Sequence, residues 1–367
     1  MSLIEKIKFY RYNPHMLEVS SRYSKKKNMN NLINVGVVGV GGGGLMHISH
    51  YLWHKKTLVK SIYDIDESRY DDIKTRFPFA NDDIYKAKSF EELINDIDID
   101  IISIATPDHT HAEYAIAAIE AGKHVLVEKP MCTTMEDAKK IIEATKNSKK
   151  MFSVFQQMRF VKRNSIIKKM IDDSKLGEIS FIQIGYIHDM RERAFEFSEW
   201  RKDKNNFQHP LFGGNHNIDL LRWLAGEVEE VYTTSSHKGL PNYPTDDTFN
   251  VQLKMKNGGI GSIITCFSPV IPDEYHPLTI YGTKGSFQEN TIFYKNSKNK
   301  LIDKPLNGTN YEGVPQFRMQ ISSFIDAVLG NSNSLVTALD GAKTVAVCSA
   351  AIDSWKQGRP IEVSEII

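Results

Sequence analysis

The sequence predicts an α/β chain in two parts. The first is a Rossmann domain with a doubly wound parallel sheet. The second is an α+β domain with an open-faced, mostly antiparallel sheet. Three observations carry this. Strand-like runs alternate with helix signals over residues 32–152, as a parallel sheet covered on both faces requires. A glycine cluster, Gly41 to Gly44, follows the first run. After Phe152 the rhythm changes to long alternating runs joined by short turns such as Lys256-Asn257-Gly258-Gly259, and Asn-Gly between two such runs signals a hairpin.

The chain has 367 residues, of which 41% are hydrophobic and 25% charged, enough apolar material for two cores. Its boundaries read as an N-terminal extension over 1–31, a Rossmann domain over 32–152 and a second domain over 153–367. The extension holds seven Lys/Arg against two Glu, whereas the whole chain is near neutral at +1. Its basic run, Lys25-Lys26-Lys27, reads as a solvated, poorly ordered arm. The near-neutral balance argues against nucleic acid or an anionic membrane as a partner. No stretch approaches the roughly 20 apolar residues of a membrane span. Cys132, Cys266 and Cys348 are few and far apart, which fits reduced thiols and a cytoplasmic location.

The elements follow in order. Leu32–Gly39 is a β-branched run ending in glycine, and a helix-compatible stretch runs from the glycine cluster to about His54. Leu58–Tyr63, Ile99–Ala105 and Val125–Val127 read as further strands. Ser89 with Glu92, Thr110 with Glu113, and Thr133 with Glu136 each match the capping box. After Thr110, Ala112, Ala115, Ile116 and Ile119 fall on one helical face, closed by Gly122. In the second half, Glu178–His188, Val228–His237, Thr248–Met255, Gly259–Phe267 and Pro277–Tyr281 read as strands. Two helices close the chain, one over Phe317–Val328 and one starting near Thr337.

Gly39-Val40-Gly41-Gly42-Gly43-Gly44 fits G-x-G-x-x-G between a strand and a helix. Gly39 permits the tight turn, Gly41 lets the backbone approach a pyrophosphate, and Gly44 lets the helix pack closely on the strand. Asp64 ends the second strand and suits the adenosine ribose hydroxyls, with Ile65 beside it and no adjacent Arg. That pattern favours NAD over NADP. The segment Ala105-Thr106-Pro107-Asp108-His109 sits at a strand's carboxyl end, where Thr106 and His109 either touch the cofactor or serve as a helix-capping cluster. Val125 to Pro130 places Glu128 and Lys129 at the end of another strand. A partly desolvated Lys beside a nicotinamide has its pKa lowered and can exchange a proton with a hydroxyl or carbonyl as hydride moves; a surface Lys is the plainer alternative.

Several of these segments together resemble the glucose–fructose oxidoreductase / inositol dehydrogenase / rhizopine catabolism (Gfo/Idh/MocA) family over roughly residues 33–360. They are Gly39-x-Gly41-x-x-Gly44-x-x-His47, Ala105-Thr106-Pro107-x-His109-x-His111, Glu128-Lys129-Pro130, Trp200-Arg201, Gly213-Gly214-Asn215-His216-x-x-Asp219 and Tyr281-Gly282-Thr283-Lys284-Gly285. The resemblance implies a Rossmann domain followed by an open-faced domain whose sheet often forms the oligomer interface, hence a homodimer or homotetramer. It implies that Glu128 lies near the nicotinamide ribose, that Lys129 is the catalytic Lys and that His216 is the active-site His. It implies that Arg159 lies near cofactor and substrate. Trp200 and Asn215 join Lys129, Arg159 and His216 as expected substrate contacts. One departure stands out: Phe212 occupies the position where many members carry an Asp, leaving His209 or Asn215 as candidate replacements, or Lys129 and His216 sufficient by themselves.

A metal site from His209, His216 and Asp219 has weak support from spacing, and none is expected. Tyr186, His188, Arg191 and Arg193 are further candidates for a pocket lining. Gly282-Thr283-Lys284-Gly285 reads as a hairpin turn, not a phosphate loop. The functional expectation is an oxidoreductase moving hydride between NAD, with NADP possible, and a sugar or polyol. Two alternatives stay open: a non-catalytic NAD(P)-binding regulator, and an NAD-using glycoside-cleaving relative.

Overall fold

The computed structural model describes residues 14–26, 29, 31–191, 209–271, 275–296, 298–308 and 314–365. The chain divides into two compact units. One comprises Met1–Cys132, Lys139–Phe155 and Phe317–Ala338; the other comprises Thr133–Ala138, Gln156–Gln316 and Leu339–Ile367.

The first unit is built on six strands: β1 (Ile33–Val38), β2 (Thr57–Tyr63), β3 (Tyr85–Lys86), β4 (Ile101–Ile104), β5 (His124–Val127) and β6 (Phe152–Val154). Their order is β3-β2-β1-β4-β5-β6, and each neighbouring pair is parallel. The order reverses between β1 and β4, and ligands of doubly wound sheets bind outside the strand ends at that switch. Val35, Val37, Ile62, Ile101 and Leu126 are fully buried, so the near-continuous apolar runs reflect strands covered on both faces. The helix α2 (Gly42–Trp53) follows the glycine turn.

The expected loose N-terminal arm is corrected for residues 14–26, which form the helix α1 (Pro14–Lys26). Val19 and Tyr23, one turn apart, are buried in the same core as Ile48, Tyr51 and Leu52 of α2. Lys26 is not solvated: it is 2% exposed, and its Nζ donates to the carbonyls of Tyr51, His54 and Thr57 at 2.6–2.8 Å. The Tyr51 and His54 carbonyls belong to the end of α2, where carbonyls lack helical partners, and that of Thr57 to the start of β2. Two guanidinium groups, Arg22 and Arg318, each lie 4.4 Å from the centre of the Trp53 ring.

Capping followed the sequence once in three. Ser89 caps the helix Phe90–Asn95 by accepting from Glu92 N at 3.1 Å. Thr110 instead turns its hydroxyl to Thr106 and the Pro107 carbonyl, within a tight turn over Asp108–Thr110. At the third helix, Met135–Lys146, the hydroxyl that accepts from Asp137 N is Thr134, one residue later than expected.

The second unit carries a nine-stranded sheet. Its strands are β7 (Ile179–Ile187), β8 (Val228–Ser236), β9 (Thr248–Met255), β10 (Ile260–Cys266), β11 (Leu278–Gly282), β12 (Gly285–Gln288), β13 (Thr291–Lys295), β14 (Leu301–Pro305) and β15 (Ile361–Glu362). Their order is β14-β13-β12-β11-β7-β10-β9-β8-β15, antiparallel throughout except for the parallel pair β10 and β7. The Asn257-Gly258 turn joins β9 to β10, and Gly282–Gly285 makes the β11–β12 hairpin. The helix Asn215–Ala225 packs on β7 and β10. The closing helices run over Val314–Val328 and Ala338–Gln357.

Candidate functional site

The glycine turn after β1 divides its work as the spacing demands. Gly39 has φ +82°, and a Cβ there would lie 2.6 Å from the Ala105 carbonyl oxygen. A Cβ on Gly44 would lie 1.8 Å from the Gly39 carbonyl oxygen, so only glycine lets α2 start this close to the strand. At Gly41 and Gly42 a Cβ would meet nothing within 4 Å. The open space lies where a ligand backbone needs it. No side chain caps the first turn of α2, which leaves its amides to a ligand anion. A dinucleotide pyrophosphate therefore fits this cradle.

Asp64, at the end of β2, anchors the turn. Its Oδ2 accepts from Val40 N at 2.6 Å and its Oδ1 from Asp66 N at 2.9 Å. The turn that follows is capped by Asp66, whose side chain accepts from Ser68 N. Ile65 is 81% exposed beside it. Ala105, Thr106 and Pro107 are half-buried against the glycine turn, and His109 is exposed. His111 bridges two loops, with Nδ1 2.6 Å from the Pro130 carbonyl and Nε2 2.9 Å from the Thr106 carbonyl.

Glu128 and Lys129 leave the end of β5, and the Lys129–Pro130 peptide is cis. A Cβ on Gly43 would come within 3.9–4.0 Å of the Glu128 side chain, so this carboxylate borders the glycine turn. Its Oε1 lies 3.0 Å from His47 Nε2, and its Oε2 accepts from Lys129 N at 3.0 Å. Burial pushes the Glu128 carboxyl up. The hydrogen bond and charge of His47, with the charge and amide of Lys129, outweigh burial and hold it below the usual range.

In the second unit, His216 is 4% exposed in the first turn of its helix. Its Nδ1 lies 3.1 Å from Gln156 Oε1, an acceptor, and its Nε2 lies 3.1 Å from Gln157 Nε2, a donor. This pairing puts the proton of a neutral ring on Nδ1. Gln156 Nε2 donates to Asn215 Oδ1 at 2.5 Å. The two glutamines were absent from the expected site. Their signal was the unbroken pair Gln156-Gln157, polar yet directly after a buried strand.

Arg159 has carboxylate partners in the same unit. Its Nε and Nη2 donate to the two oxygens of Asp219 at 2.7 Å each, and Nη2 also reaches Asp340 at 3.2 Å. Arg159 is 3% exposed, and its guanidinium belongs to a buried ion pair. Burial opposes the cation, but the charge of Asp219 outweighs that and raises its pKa. The same pair engages both oxygens of Asp219. Phe212 is buried at 6% exposure. His209 accepts from Leu211 N through Nδ1 at 3.2 Å and caps the short helix Pro210–Gly213. Burial, then the charge of Lys356, lowers its pKa to about 3. Asn215 Oδ1 is engaged by Gln156. Tyr186 Oη lies 3.3 Å from His188 Nδ1, and Arg191 pairs with Asp189. Trp200, Arg201 and Arg193 lie outside the described residues.

Comparison with known proteins decides the class. The profile of an oxidoreductase family with an NAD-binding Rossmann fold (GFO/IDH/MocA) matches residues 33–156, and that of the family's C-terminal alpha/beta domain matches residues 168–363. The chain belongs to the GFO/IDH/MocA oxidoreductases. A levoglucosan dehydrogenase of Pseudarthrobacter phenanthrenivorans is 29% identical over 287 residues, 69% of this chain and 72% of that protein. An NADP(+)-dependent scyllo-inositol 2-dehydrogenase of Bacillus subtilis is 27% identical over 358 residues, 90% of this chain and 95% of that one. An alpha-N-acetylgalactosaminidase of Shewanella oneidensis is 26% identical over 255 residues, 63% of this chain and 54% of that one. Among solved structures, a levoglucosan dehydrogenase in complex with NADH superimposes with a TM-score of 0.81 at 23% identity, covering 91% of this chain and 99% of that one. This GFO/IDH/MocA chain thus shares the family fold over both units. Among the described residues, no helix is long and apolar enough to cross a membrane.

Proposed function

We propose that this chain oxidises a secondary alcohol of a sugar or polyol, or reduces the matching ketone, with NAD(H) as the preferred cofactor and NADP(H) as the alternative. The observation that carries this reading is the Glu128 carboxylate bordering the open glycine cradle, with Lys129 following it in the chain. A nicotinamide held there supplies the hydride acceptor or donor. Gly41 and Gly42 admit the pyrophosphate, and Asp64 accepts from the adenosine ribose and disfavours a 2′-phosphate. Lys129 Nζ takes the hydroxyl proton in one direction and returns it to the carbonyl oxygen in the other. His216 is the second polar group of the reading, its ring held in one tautomer by Gln156 and Gln157. The relatives named for levoglucosan and scyllo-inositol support a cyclic polyhydroxylated substrate.

The test is a panel of anhydrosugars, inositols and aldoses, with levoglucosan and scyllo-inositol among them, assayed for NADH and NADPH formation. Lys129→Ala is expected to lose nearly all turnover while NADH still binds. Full turnover in that variant removes Lys129 from the chemistry. Release of a sugar from an α-N-acetylgalactosaminide without net NADH formation would favour the glycoside-cleaving alternative instead. Tight NADH binding with no turnover on any of these substrates would favour the regulator.

The same reading extends to assembly and location. Ile260, Phe181, Tyr281 and Phe293 fall on one face of the second sheet, linked through paired strand positions, and Ile260 and Tyr281 are exposed. Such a face supports a homodimer or homotetramer, which light scattering checks. Three cysteines without disulfides support a reducing, cytoplasmic location.

A further inference from the structure

The glycine-turn motif includes one side chain whose work the reaction above does not use: His47, on α2. It is fully buried, and its ring centroid lies 4.7 Å from that of Phe155. Its Nε2 faces Glu128 Oε1 at 3.0 Å and its Nδ1 faces Ser103 Oγ, on β4, at 2.7 Å. Tyr51, one turn along α2, donates its hydroxyl to the same Ser103 oxygen at 3.3 Å. The chain of bonds has a direction. A carboxylate accepts only, so His47 Nε2–H is the donor to Glu128. In the neutral ring His47 Nδ1 accepts from Ser103, and Ser103 accepts from Tyr51. The far oxygen of Glu128 is fixed by Lys129 N at 3.0 Å. Both carboxylate oxygens are therefore oriented from the protein side, at the border of the glycine cradle.

We propose that His47 is a positioning residue: through the Tyr51–Ser103–His47–Glu128 chain it holds the Glu128 carboxylate in the orientation that receives the nicotinamide ribose. Burying an imidazole against a carboxylate is costly unless both are paired, and a half-buried carboxylate with nothing behind it samples several rotamers. With His47 in place, the carboxylate meets the ligand already set. The inference rests on the reading that Glu128 faces the bound nicotinamide, and the test separates the two.

NADH affinity is measured by fluorescence titration on the full chain for His47→Leu, His47→Gln, Glu128→Gln and the double variant His47→Leu/Glu128→Gln, with thermal unfolding recorded for each. His47→Leu is expected to weaken NADH binding about tenfold, the size of one lost hydrogen bond to a charged group. His47→Gln places an amide N–H near the position of Nε2 and is expected to stay within about threefold of the parent, because the donor to Glu128 survives. Glu128→Gln weakens binding, and the double variant is no weaker than Glu128→Gln alone, since His47 acts only through Glu128. A merely structural histidine would lower the unfolding temperature and leave NADH affinity and this non-additivity untouched. Should His47→Leu fail to fold, His47→Asn takes its place: it still reaches Ser103 but is too short for Glu128. Parental affinity in His47→Leu or His47→Asn, with Glu128→Gln weakened, overturns the role of His47 and leaves that of Glu128 standing. Parental affinity in Glu128→Gln overturns the reading of Glu128 itself, and with it the inference. Additive losses in the double variant also overturn the positioning role.

Discussion

Arg159 and Asp219 meet end to end, Nε to one carboxylate oxygen and Nη2 to the other, both at 2.7 Å and both nearly sealed from solvent. Breaking a buried pair from one side leaves an uncompensated charge, which typically costs about 3–5 kcal/mol. Asp219→Ala is accordingly expected to lower the unfolding free energy by about 3–5 kcal/mol, read by urea titration. A loss under about 1 kcal/mol would mean that the guanidinium finds full replacement partners.

The glycine turn separates ligand effects from folding effects. Gly44→Ala puts a methyl carbon into the Gly39 carbonyl, so the protein itself is expected to lose stability. Gly41→Ala has open space around it and an ordinary backbone, with φ −69° and ψ −166°. It is expected to unfold at the parental temperature and to bind NADH about tenfold more weakly or worse, because the methyl crowds the pyrophosphate. Unchanged NADH affinity in a folded Gly41→Ala would place the dinucleotide elsewhere.

How much of this was legible in the sequence follows from the range of the forces involved. The glycine turn and the strand before Glu128-Lys129 were legible because close backbone approach demands glycine and burial on both faces demands an apolar run. The hairpin at Asn257-Gly258 was legible from its turn residues. Tyr85–Lys86 and Ile361–Glu362 were not, since two-residue strands carry no periodicity. The Arg159–Asp219–Asp340 cluster was not, because its partners lie 60 and 181 residues from Arg159. Thr110 matched a capping pattern yet spent its hydroxyl on Thr106 and Pro107, a local competition that the pattern does not encode.

Cofactor choice is testable at Asp64. Replacing the carboxylate by a hydroxyl in Asp64→Ser removes the charge that opposes a 2′-phosphate. The ratio of NADPH to NADH affinity is expected to rise about tenfold. A ratio that does not move would take Asp64 out of the discrimination and leave it as the anchor of Val40.

Acid sensitivity has an identifiable source in His209. Its folded pKa is about 3, against 6.5 ordinarily, because burial and the charge of Lys356 disfavour the cation. Above pH 6.5 both states are neutral and the group is silent. Between pH 6.5 and 3 the unfolded chain takes up a proton that the folded one refuses, so stability falls as pH falls, by up to about 1.4 kcal/mol per pH unit. His209→Asn keeps a helix cap and removes the titration. The slope of unfolding free energy between pH 6 and 4 is expected to shrink by close to one proton. An unaltered slope would assign the acid limb to other groups.

The helix at residues 14–26 precedes the start of the family match at residue 33. Trimming the gene to that boundary would therefore strip a plug from its socket. The groove on α2 that seats Val19 and Tyr23 would be bared, and the carbonyls held by Lys26 would turn to water. Such a shortened protein would betray itself by clumping during expression while every residue of the reaction chemistry remained in place.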